Sequence, residues 1–239
     1  MSDKSISISS SSGKSKPATT KRKKAKPIKL VAVLFDETGS MEDMKNEAIS
    51  GYNLFLRDRR EEGHILFSLR FFNTHLIRDV HSNTPIEDVR YLKVQDYAPA
   101  AFTNLYDAIG GMIKSLESTI NGMKEKPTEV LVVIQTDGEE NSSHEYTLQS
   151  IQALIDQKRA QGWGFMFLGA GIDAHKTAQQ MHLDPNMVMN YTKGQSIMAF
   201  SQTSRSARAY LRGDHANAQL TDIDPSARDN PGLLTDGHS

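Results

Sequence analysis

The chain has 239 residues, no cysteine, and 24% charged against 38% hydrophobic side chains, a balance that suits one buried core of roughly 150–250 residues. The missing thiols exclude a disulfide framework, thiolate zinc sites, a cysteine nucleophile and iron–sulfur ligation. The net charge of −1 conceals an asymmetry: residues 1–29 hold nine Lys/Arg against Asp3, leaving 19 basic and 28 acidic groups in the other 210 residues.

Residues 1–28 read as a disordered basic arm, with eight serines, Pro17, Pro27 and too little apolar surface to offset the entropy of ordering. Lys21, Arg22, Lys23, Lys24 and Lys26 are candidate contacts to nucleic-acid phosphates, or else a solvated tail lying on its own acidic body. No apolar run approaches the ~20 residues needed to cross a bilayer, and the N-terminus has no apolar signal core. A cytoplasmic protein is expected, or a nuclear one in a eukaryote, with no membrane partner.

From Lys29 the texture changes. Leu30 to Phe35 is a continuous apolar run, as expected of a strand covered on both faces. Met41, Met44, Ala48, Tyr52 and Phe55 recur at helical spacing, with Ser40 and Asp43 marking a helix start. Ile65 to Phe72 is a second strand, and Thr74-His75 turns the chain into a short partner from Leu76 to Val80. Leu105, Ile109, Met112, Leu116 and Ile120 form one helical face. Val130 to Ile134 is a strand, Leu148, Ile151 and Ile155 a helix, Trp163 to Leu168 a strand, and Ala174 to Met181 a short helix. Strands alternating with helices predict an α/β fold: a mostly parallel central sheet with one antiparallel edge strand and helices on both faces. The domain is expected over 29–205, and residues 206–239, rich in Asp and Pro, as an acidic, turn-rich tail whose aspartates are candidates to enter a metal site.

In such sheets ligands bind beyond the carboxyl ends of the strands. One strand runs into Asp36-Glu37-Thr38-Gly39-Ser40, a later one into Thr136-Asp137-Gly138, and Thr103-Asn104-Leu105 opens the helix between them. Two carboxylates with neutral hydroxyls form an all-oxygen set, suited to Mg²⁺, Mn²⁺ or Ca²⁺. Few charged ligands leave the ion electrophilic and able to take an external carboxylate. Glu37, Glu42, Glu139, Glu140 and Glu145 are expected around the rim, as a solvated acidic border or as hydrogen-bonding support, with Gly39, Asn104 and Gly138 beside them.

Asp36-x-Thr38-x-Ser40, Thr103 and Asp137, in order and each on the expected element, resemble the three pieces of the metal-ion-dependent adhesion site (MIDAS) of the von Willebrand factor A family, over residues 29–205. The resemblance implies a Rossmann-like A fold in which Thr38, Ser40 and Thr103 contact the metal, with Mg²⁺ the first expectation. Asp36 and Asp137 would then hold it mainly through ordered water, and a partner's Asp or Glu would complete the octahedron. Two positions depart from the family pattern: Thr38 stands where serine is usual, and Ala100-Ala101-Phe102 precedes Thr103 where glycines are common.

The sequence therefore points to a non-catalytic, metal-dependent protein-binding module. By analogy with single intracellular A domains, an AAA+ ATPase is a partner class. A nucleic-acid-associated or structural role carried by the arm is the alternative. A Mg²⁺-dependent phosphatase with Asp36 as nucleophile is disfavoured, because Thr38 stands where a second acid would act.

Overall fold

The computed structural model describes residues 27–227. Residues 1–26 of the basic arm, with Lys21, Arg22, Lys23, Lys24 and Lys26, lie outside the described residues, as does the chain beyond 227.

Six strands form one sheet: β1 (Lys29–Asp36), β2 (Ile65–Asn73), β3 (Leu76–Pro85), β4 (Glu129–Thr136), β5 (Trp163–Ala170) and β6 (Val188–Tyr191). Their order is β3-β2-β1-β4-β5-β6, every pair parallel except the β2–β3 hairpin. This is the expected mixed sheet with one antiparallel edge. β3 runs five residues past the expected Val80, to Pro85, with register shifts between Phe67 and Arg70 of its partner β2.

Alternation along the strands explains the layers. Val31, Val33 and Phe35 of β1 face one core with Leu131 and Val133 of β4 and Met166 and Leu168 of β5. Leu30, Ala32 and Leu34 face the other with Val132, Ile134, Phe165 and Phe167. The first core is closed by α1 (Lys45–Glu62) and α5 (Ser196–Leu211). The second is closed by α2 (Leu105–Gly122), α3 (Leu148–Ala160) and α4 (Ala174–Gln180). A Cβ on Gly51 of α1 would lie 2.5 Å from Phe200 Cδ2 and 2.8 Å from the Ser196 carbonyl oxygen of α5, so only glycine permits this approach.

The C-terminal region differs in detail from the sequence expectation. Helix α5 runs through residue 206, where the tail was expected to begin. Residues 218–227 then fold back on the β6 side: Ala218, Leu220 and Ile223 are buried. Leu220 N donates to Asn186 O at 2.8 Å and Ile223 N to Asn190 O at 3.0 Å. The apolar residues between the aspartates supply the driving force, and the segment covers an edge that would otherwise be open. Among the described residues no helix is long and apolar enough to cross a membrane.

Candidate metal site

β1 lies between β2, reached through α1, and β4, reached later through α2, so the chain diverges in two directions at the carboxyl ends of β1 and β4. Crevices of this kind are where open α/β sheets bind ligands. Asp36 ends β1, and Thr136 ends β4 one step beyond the Phe35–Gln135 pair.

Asp36 is fully buried. Its Oδ1 accepts from Thr38 N at 2.8 Å and its Oδ2 from Thr136 Oγ1 at 2.5 Å. The Tyr97 hydroxyl donates to the Asp36 carbonyl and fixes the strand end from below. Thr38 Oγ1 is 3.2 Å from Ser40 Oγ, which donates to Asp137 Oδ1 at 2.6 Å. The start expected at Ser40 and Asp43 is a 3-10 turn, Gly39–Met44, that precedes α1 without a side-chain cap, and the Ser40 hydroxyl faces Asp137. Thr103 reaches the same point from the third loop: a Cβ on Gly138 would lie 2.5 Å from Thr103 Oγ1. The five residues singled out from sequence are thus brought together at one edge of the sheet.

Backbone bonds stitch the loops. Gly39 N donates to Ala101 O at 3.2 Å, Ala100 N to Glu37 O at 2.9 Å, and Asn141 N to Thr103 O at 3.1 Å. Thr103 N returns a bond to Asn141 Oδ1 at 3.0 Å. Ala101, at φ 63°, occupies the left-handed region that glycine would adopt without strain. The alanine at this departure from the family pattern still makes the turn.

The rim glutamates divide between the two expectations. Glu37 is buried, paired with Arg78 at 3.0 Å and accepting from Ala98 N at 2.9 Å. Glu140 turns inward onto the backbone N–H groups of Tyr106, Ser142 and Ser143. Glu42, Glu139 and Glu145 remain exposed, as does Gly39. Asn104 is buried, its Oδ1 without a hydrogen-bond partner.

Two residues join the site that sequence reading did not single out as ligands or rim. Thr136 was legible, since it pairs in register beside Asp36. Lys193, on the loop after β6, was not: its Nζ donates to Ser40 O at 3.1 Å and lies 3.8 Å from Asp137 Oδ2 and 3.6 Å from Asp43 Oδ2. Of the C-terminal aspartates, Asp214, Asp222 and Asp224 are engaged elsewhere, with Asn217, with Asn190 and His175, and with Ser226.

Burial pushes the Asp36 carboxyl up to about 7, against the lowering effect of its bonds from Thr136 and Thr38. Burial also raises Asp137, opposed by the Ser40 hydroxyl and the Lys193 ammonium. Two desolvated carboxylates ringed by hydroxyls fit a hard divalent cation, which would supply the missing positive charge. Among the described residues no three His, Asp or Glu side chains cluster to hold a metal, so such an ion would depend on the hydroxyls of Thr38, Ser40 and Thr103.

No protein-family model matches the sequence, and no curated protein is similar to it. Solved structures are. The vWF domain of the type V pili tip protein Mfa5 from Porphyromonas gingivalis superposes with a TM-score of 0.59 at 10% identity, over 77% of this chain and 96% of that one. The chain has the von Willebrand factor A fold. Proximal thread matrix protein 1 from the mussel byssus, solved with a zinc-occupied MIDAS motif, gives a TM-score of 0.57 at 17% identity, over 80% of this chain. This A-fold chain spans 48% of that protein's length. The PilB minor pilin from Streptococcus sanguinis gives 0.57 at 13% identity, over 79% of this chain and 63% of the pilin.

Proposed function

We propose that this chain is a non-catalytic, divalent-cation-dependent protein-binding module. Asp36, Thr38, Ser40, Thr103 and Asp137 would hold the ion, Mg²⁺ by the hardness of the ligands, and leave it open to an acidic side chain of a partner. The observation that carries this reading is the junction of three loops, where Ser40 Oγ meets Asp137 Oδ1 at 2.6 Å and Thr103 Oγ1 fills the space beside Gly138. Bound there, the ion supplies Lewis acidity at a solvent-facing edge. The protein's part is to orient three hydroxyls by strand ends and backbone bonds, and to keep net ligand charge low. The A fold, shared with a byssus protein solved with zinc in its MIDAS, supports a divalent ion at this position. An accessory role beside an AAA+ ATPase is the finer form of the proposal, supported only by analogy with single A domains.

Calorimetric titration of the full chain with Mg²⁺ tests the metal half. Asp137→Ala is expected to weaken binding at least tenfold while the circular dichroism spectrum stays that of the wild type. Affinity capture in Mg²⁺ or chelator tests the partner half. A protein retained by wild type only in Mg²⁺, and lost with Asp137→Ala, supports the reading. Retention indifferent to both, but abolished by raised salt or by removal of residues 1–26, assigns the function to the basic arm.

A further inference from the structure

Phe102 is 68% exposed and Leu76 51%; Phe102 lies in the loop that carries Thr103, and Leu76 at the tip of the hairpin joined to that loop. Phe102 directly precedes Thr103. Thr74 N donates to Phe102 O at 3.0 Å, and Phe102 N donates to Thr74 Oγ1 at 3.2 Å, joining the loop to the tip of the β2–β3 hairpin. Asn73 Oδ1 accepts from His75 N and Leu76 N, both at 2.9 Å, which fixes the hairpin turn itself. An exposed aromatic on a pinned loop is presented with little ordering cost, the property of an interface anchor.

The Glu37 and Glu140 carboxylates are turned inward by Arg78 and by backbone N–H groups, while Glu42, Asp43 and Glu139 stay exposed beside the site, so an anion would be received there through the cation. On the opposite flank Lys193 holds its ammonium 3.8 Å from Asp137. The sheet order places these features in sequence along its carboxyl edge: Lys193 beyond β6, the cation site at β1 and β4, and Phe102 with Leu76 at β2 and β3.

We infer that this edge reads a protein segment in which an acidic side chain is accompanied by a large apolar one, the acid at the cation site and the apolar side chain received by Phe102 and Leu76. The inference rests on the metal-dependent reading above and deepens it, because it names the chemistry of the partner beside the captured carboxylate.

The test is selection of displayed peptides by the full-length chain in Mg²⁺. One library fixes a central Asp, a second fixes Asn there, and the flanking positions of both are random. The expected result is recovery from the Asp library alone, with Phe, Leu, Ile, Met or Trp enriched at a flanking position. Against a selected peptide, Phe102→Ser and Leu76→Ser, both at exposed positions, are expected to lower affinity about tenfold, while the requirement for Asp persists. Recovery that requires Asp and Mg²⁺ but shows random flanks, or flanks unchanged by Phe102→Ser, overturns this inference and leaves the metal reading standing. Recovery from both libraries, or equal recovery in chelator, overturns the metal reading and this inference with it. No recovery at all in Mg²⁺ also counts against the inference. A sedimentation experiment closes the remaining route: a wild-type dimer that Phe102→Ser dissociates assigns the patch to a second copy of the chain and overturns it.

Discussion

Gly138 shows how a single atom decides the candidate site. The Thr103 hydroxyl can lie against the loop after Asp137 because position 138 carries no side chain: a Cβ there would lie 2.5 Å from Thr103 Oγ1. Threonine is short and stiff at χ1, so it cannot yield as a long side chain would. Gly138→Ala is therefore expected to push the Thr103 hydroxyl out of place and reduce Mg²⁺ affinity at least tenfold. Its thermal unfolding should shift by no more than the ~1–3 kcal/mol of a local overpacking. Calorimetry and a melting curve on the same preparation check both halves.

At the scale of elements, α1 and α5 approach through Gly51. Replacing it by alanine would raise helix propensity by about 1 kcal/mol, but the added Cβ meets Phe200 Cδ2 at 2.5 Å and the Ser196 carbonyl oxygen at 2.8 Å. Backbone cannot move aside cheaply, so Gly51→Ala is expected to destabilise by about 2 kcal/mol, read by denaturant midpoint. The segment covering β6 makes a different prediction. Burial tends to raise the Asp222 carboxyl, but hydrogen bonds from Asn190 and His175 outweigh it and hold the group below the usual range. A depressed carboxylate contributes stability above its unfolded pKa, and that contribution is lost as pH falls through the folded value. Acidification below about pH 4 should therefore speed amide exchange at Leu220 and Ile223 before the central strands respond. Asp222→Asn should remove that pH step.

For the whole molecule, cation and fold are linked. An ion that binds only the folded chain adds about 2.7 kcal/mol at a hundred times its dissociation constant, worth about 5–10 °C for a domain of this size. Mg²⁺ is thus expected to raise the melting temperature and chelation to lower it. Asp36→Asn replaces a carboxylate buried without a counter-cation, so in chelator it is expected to melt above the wild type, and adding Mg²⁺ should not move it. A Mg²⁺ response equal to wild type in Asp36→Asn would remove Asp36 from the ligand set.

The amino-acid sequence by itself determined the layered fold and which loops meet at the candidate site. β1, β4 and β5 are buried on both faces and so read as unbroken apolar runs, and each helix around them carries one apolar face. The site residues are legible because each closes a strand or opens a helix, where alternating connectivity must place them on one edge. The tertiary structure alone decided what depends on contacts far apart in the chain. It brought Lys193 to Asp137, turned Glu37 toward Arg78, and seated Ala218, Leu220 and Ile223 beside β6. Local spacing records which face of an element is apolar. It holds no record of which loop a long side chain will meet, because that is set by the register and order of strands.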